Sequence, residues 1–115
     1  MLKEIYLHLK DKGLNPYFPG QHKGECTEPY VVIKLGAQRP SAQSNKLGQR
    51  LMDFIMFVPI DDYKRIETYR KDVIEALKEL KYLRKTGSET PAIADEDKKA
   101  YTFSVEYTIL KKLEG

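Results

Sequence analysis

The chain has 115 residues, of which 41% are hydrophobic and 32% charged, a globular composition at a length suited to a single domain spanning 1–115. Its formal net charge of +3 sets 20 basic against 17 acidic side chains, too even a balance for a strong nucleic-acid footprint over the whole chain. The lone Cys26 excludes an internal disulfide, and the longest apolar run, Phe54 to Ile60, is far too short to cross a bilayer as a helix.

Lys3, Glu4 and Lys10 interrupt what would be the apolar segment of a signal peptide, so synthesis in a reducing cytoplasm and no membrane role are expected. Leu2, Ile5 and Leu9 recur at helical spacing, with Tyr6 beside them and Lys3, Lys10 and Asp11 elsewhere on the wheel. That pattern predicts an amphipathic first helix stopped by Gly13. Asn15-Pro16 and Pro19-Gly20 bracket Tyr17-Phe18, and the polar stretch on to Glu28 reads as a loop with room for a short edge strand.

The β-branched run from Tyr30 to Leu35 predicts a strand between Pro29 and Gly36. A polar loop over 36–50 follows, containing Arg39, Lys46 and Arg50 and no acid. A second strand is expected from about Gln49 to Pro59. One parity carries Leu51, Ile55 and Phe57, the other Met52, Phe54, Met56 and Val58, with Asp53 the only charge between Leu51 and Pro59. Both faces of that strand want cover, which places it inside the sheet. A partner subunit or the N-terminal helix would have to cover the second face.

Asp61-Asp62 offers an N-cap carboxylate, and Ile66, Tyr69, Val73, Leu77 and Leu80 then predict the clearest helix of the chain. Tyr82 to Lys85 reads as a short strand, and 86–99 as a second polar loop, whose part from Gly87 to Asp97 holds Glu89, Asp95, Glu96 and Asp97 with no base. Alternation of Tyr101, Phe103, Val105, Tyr107 and Ile109 with polar residues predicts a last strand with one buried face. The element order and short links predict an α+β fold: a small, mostly antiparallel sheet packed against the N-terminal helix and one central helix. The expected core is Ile5, Leu9, Val32, Ile55, Phe57, Ile66, Tyr69, Val73, Leu77, Phe103, Val105 and Tyr107, with each strand register open by one residue.

Signals for chemistry are few. His22 and Cys26 are four positions apart with Glu25 and Glu28 nearby, but structural zinc needs about four ligands and a cysteine nucleophile needs an orienting base and an oxyanion site. A metal-dependent enzyme built on this pair is the weakest reading. His8 fits a surface helix position, and Asp61-Asp62 fits capping better than acid-base work. The expectation is therefore no enzyme, no metal and no cofactor. A nucleic-acid module using the 36–50 loop stays open, although most of the eight tyrosines and four phenylalanines fall on expected core parities rather than stacking surfaces.

The segments MLKEIYLHLK, YVVIKLG, AQRPSAQSNKLGQ, VPIDDYKRIETYRKDVIEAL and YTFSVEYTILKK, in this order, resemble the small tail-terminator and head-tail joining proteins of long-tailed bacteriophages and of phage-derived contractile particles. The resemblance covers nearly the whole chain and rests on element order rather than on a diagnostic motif. It implies a structural subunit, made in the host cytoplasm, that assembles as a homo-oligomeric ring, commonly a hexamer. Such a ring ends the tail tube, receives the head or neck, and lets DNA pass through. It implies no catalytic residues. A closed ring uses two different patches per subunit, for which the candidates are Arg39, Lys46 and Arg50 against Glu89, Asp95 and Glu96, with Met52 and Met56 supplying apolar contact.

Overall fold

The computed structural model describes residues 2–41 and 44–109, without side chains at 37–41 and 44–49. In chain order it contains α1 (Leu2–Asp11), β1 (Pro16–Tyr17), β2 (Tyr30–Ser41), β3 (Ser44–Pro59), α2 (Arg65–Lys78), β4 (Leu83–Glu89), β5 (Ile93–Asp95) and β6 (Ala100–Ile109). The strands form one sheet in the order β1-β2-β3-β6-β4, with β5 also on β6. All pairings are antiparallel except β1 with β2. The protein is a small α+β domain, as its pattern predicts.

β6 decides which side of the sheet is inside. Phe103, Val105, Tyr107 and Ile109 are buried, and the polar residues between them point to the other face. Residues directly opposite on neighbouring strands share a face, so the pairs Met56↔Phe103, Phe54↔Val105 and Met52↔Tyr107 carry Met52, Phe54 and Met56 into the core. Val31↔Met56 and Ile33↔Phe54 do the same for β2. Both helices pack on this one face, where Ile5, Leu9, Ile66, Val73 and Leu77 join the strand residues in a single cluster. Polar ties between the helical layer and its neighbours reinforce the packing. The Tyr69 hydroxyl donates to the Leu14 carbonyl and the Tyr82 hydroxyl to Glu4. His8 Nε2 lies 2.8 Å from the Ala76 carbonyl, which can only accept, so that nitrogen carries the proton.

Five expectations need correction. Val32, Ile55 and Phe57 are half-buried on the outer face of the sheet, and the core positions are their neighbours Val31, Ile33, Met52, Phe54, Met56 and Val58. Periodicity cannot choose between two apolar parities, and the register with β6 makes the choice. The N-terminal helix does not cover the second face, because it lies beside α2 on the first.

Among the described residues, the 36–50 segment is no loop in its backbone: β2 and β3 stay paired through Gln38↔Arg50 and Arg39↔Gln49 to Ser41↔Ser44, with two register shifts. Likewise 86–99 contains the end of β4 and all of β5, and a register shift between Lys85 and Glu89 spans Gly87 at φ 91°. Backbone ladders form without apolar side chains, so polarity misled the loop assignment. Finally, α2 starts after Lys64 without a side-chain cap. Asp62 sits in the preceding turn, and its carboxylate pairs with the Arg65 guanidinium at 3.0 Å instead of capping an amide.

Candidate subunit interface

With both helices on one side, the opposite face of the sheet is covered, among the described residues, only at one end. There the link between β1 and β2 folds over the strands. Cys26 is 5% exposed and packs with Tyr30 and Ala100, while Tyr17, Val32 and Phe57 border them. The Cys26 amide donates to the Lys98 carbonyl at 2.7 Å. His22 stacks on Tyr30, Tyr30 stacks on Phe57 at 4.6 Å, and Tyr17 meets both His22 and Tyr30 edge-on. Burial pushes the Cys26 thiol up to about 11, against a smaller opposing effect of its 3.2 Å hydrogen bond to the Glu28 carbonyl. That is the behaviour of a packed thiol rather than a nucleophile. Among the described residues no group of three or more His, Cys, Asp or Glu could hold a metal ion.

Farther along the same face, one row crosses three strands: Lys34, Asp53 and Glu106 are direct neighbours through Lys34↔Asp53 and Asp53↔Glu106. Half-buried Ile55 and buried Leu51 flank Asp53 on β3. Desolvation first, and the neighbouring Glu106 second, hold the Asp53 carboxyl above its usual range, and Lys34 pulls the other way. Thr86 Oγ1 donates to Glu106 Oε1 at 2.8 Å. Asp53 was visible in the sequence as the charge inside an apolar strand. Its cross-strand partner was not, because register is a tertiary property.

The interface residues expected from sequence fall into three groups. Met52 and Met56 are 0% exposed in the core and present nothing to a partner; the inward parity of β3 puts them there. Arg50 is exposed, whereas the side chains of Arg39 and Lys46 lie outside the described residues. On the acidic side, Glu89 is 4.0 Å from Lys85, and Asp95 Oδ1 accepts the amides of Asp97 and Lys98 at 3.1 and 3.2 Å. Glu96 is exposed. The two charged segments sit at opposite ends of the sheet: Arg50 pairs with Ile109, whereas Asp95 pairs with Ala100, which faces Pro59. At strand rise, Arg50 and Pro59 are about 30 Å apart.

One cleft of about 350 Å³ lies between the α1–β1 turn and the start of α2, with Lys12, Glu28, Arg65, Tyr69 and Asp72 in its lining. Its charges alternate in sign, and its one deeply buried polar group, the Tyr69 hydroxyl, is already engaged by Leu14. No helix among the described residues is long and apolar enough to cross a membrane. No protein-family model and no curated protein matches the chain.

Proposed function

We propose that this chain is a structural subunit of a phage or phage-like tail, forming a homo-oligomeric ring that terminates the tail tube and joins it to the head or neck. The observation that supports it most is the outer sheet face beyond the aromatic cluster. Among the described residues, half-buried apolar side chains and the row Lys34–Asp53–Glu106 stay there without cover, because both helices lie on the other side. A second support is polarity. Segments of opposite charge at opposite ends of one sheet suit the heterologous contacts that close rings. In this reading the subunit is made in the bacterial cytoplasm, works without cofactor or catalytic residue, and meets DNA only as it passes through the ring.

Sedimentation and negative-stain imaging test the reading. Rings of fixed subunit number, alone or on purified tube ends, are the expected result. A chain that stays monomeric at high concentration, with and without tube protein, would overturn it. A second reading, a nucleic-acid module, draws on the acid-free hairpin 36–50. It requires binding to duplex DNA that falls steeply with added salt.

A further inference from the structure

We infer that the link over residues 18–28 is a proton-operated strap: protonation of His22 releases it from the aromatic end of the outer sheet face and uncovers Tyr30, Phe57 and Cys26. The device belongs to the fold of the single subunit and does not depend on the ring reading.

Few contacts hold the strap. The Gln21 amide bonds back within the link to the Phe18 carbonyl, and at the far end the Pro29 carbonyl takes the Asn15 side-chain amide. Between these points, among the described residues, one backbone hydrogen bond ties the link to the sheet, from Cys26 N–H to the Lys98 carbonyl at 2.7 Å. Cys26 packs there with Tyr30 and Ala100. The second anchor is the His22 ring, stacked on Tyr30 at 3.8 Å and met edge-on by Tyr17 at 5.0 Å. Gly20 and Gly24 stand two residues to either side of His22 with φ of 84° and 87°, a left-handed backbone that glycine enters and leaves freely. A Cβ built on either would meet nothing within 4 Å. The anchoring ring therefore has a hinge on each side and open space around both.

Nδ1 of His22 is buried and has no hydrogen-bond partner among the described residues. The neutral ring can keep that nitrogen as a bare lone pair, but the imidazolium places a charged N–H there. A buried charge without an acceptor costs far more than a buried lone pair. Lys98 adds to the effect, since the same residue supplies the carbonyl that tethers Cys26 and a positive charge that acts on His22. Protonation thus sets two like charges across the contact that closes the strap. The other titratable groups at the site are aromatic, engaged or in water. Tyr17 on β1 and Tyr30 on β2 meet the ring through their own rings. Asp95 on β5 accepts the amides of Asp97 and Lys98, and Lys23, Glu25 and Glu28 on the link are exposed. No ion pair among the described residues includes His22. With the strap open the ring is in water and takes its proton at the ordinary value of about 6.5, so acid favours the open form.

Amide hydrogen exchange, corrected at each pH for the intrinsic rate, tests the strap. Between pH 7 and pH 5 the protection of the Cys26 amide should fall severalfold, up to a ceiling of about 25-fold set by the ordinary imidazole value. Amides in the β3–β6 ladder should lose far less. His22→Phe keeps a ring and removes the titrating nitrogen, so Cys26 protection should then be level across the interval. Lys98→Gln keeps the tethering carbonyl and removes the charge, and should shrink the fall. Cys26 protection that stays level in the parent, or falls equally in His22→Phe, would overturn the strap. So would a fall in step with the ladder amides, because acid would then be loosening the whole domain.

Discussion

His22 lies flat against Tyr30, with ring centroids 3.8 Å apart and planes 11° from parallel. Tyr17 meets it edge-on and Lys98 adds a nearby positive charge, and no carboxylate is among the causes of its shift. Burial first, and Lys98 second, hold its pKa below the ordinary value.

The sign of the pH dependence follows. The folded state binds this proton less tightly than the unfolded chain, so stability is full above the unfolded value of about 6.5 and is lost as pH falls through and below it. The melting temperature should fall between pH 7 and pH 5. His22→Phe keeps a stacking ring without a titrating nitrogen and should flatten that interval. Asp53, whose folded pKa is raised, acts in the opposite sense at lower pH, since its protonation favours the folded chain. An equal acid response in His22→Phe and the parent would count against the stack as its source.

The core assignment separates sharply between two residues that the sequence treats alike. Leu77 is 0% exposed under α2, so Leu77→Ala should cost about 2–5 kcal/mol through lost burial and a residual cavity. Ile55 is half-buried on the outer face, and Ile55→Ala should cost less than half as much in the isolated subunit. Denaturant titrations with unchanged slopes make the comparison. Equal losses would mean that the outer face is covered more deeply than the pairing implies.

That contrast marks how far the sequence could be read. Helical spacing in Ile5 and Leu9, and in Ile66, Tyr69, Val73 and Leu77, located both helices and their buried sides, because a stripe of large apolar residues has one orientation that hides it. Strict alternation did the same for β6. It failed for β2 and β3, where Val31 and Val32, or Met56 and Phe57, are equally apolar and only pairing with β6 distinguishes them. The candidate face was half legible. Asp53 stood out within its apolar run, but the row Lys34–Asp53–Glu106 depends on two strand registers that no local pattern encodes. The aromatic stack over Phe57 was illegible for a similar reason: it joins His22 to strand residues through a link with no periodicity.

Gly36 lies on β2 at the register shift between Leu35 and Gln38. A Cβ built there would sit 3.1 Å from Leu51 Cβ and 3.2 Å from the Leu51 carbonyl oxygen. Its φ is not positive, so the constraint is crowding rather than backbone strain. The carbonyl belongs to a paired strand and cannot easily retreat. Gly36→Ala should therefore cost about 1–3 kcal/mol by overpacking. A variant as stable as the parent would show that β2 has slack at this bend.

Cys26 supplies an internal reporter for the segment that covers the aromatic end of the outer face. Its thiol is nearly buried and pushed up to about 11, so at pH 8 only about one part in a thousand is thiolate, and that fraction is shielded. Labelling by a maleimide should be slow in the folded chain and fast in denaturant. Opening of the β1–β2 link is local, since it breaks the Cys26–Lys98 backbone bond and the His22 stack but leaves the helical core untouched. Removing the stacking ring with His22→Ala should therefore speed labelling severalfold while changing the global denaturation midpoint little. Leu77→Ala should do the reverse, shifting the midpoint strongly and labelling only in proportion to global unfolding. If His22→Ala leaves the labelling rate unchanged, the Cys26–Lys98 bond and the packing around Tyr30 hold the segment closed without the stack.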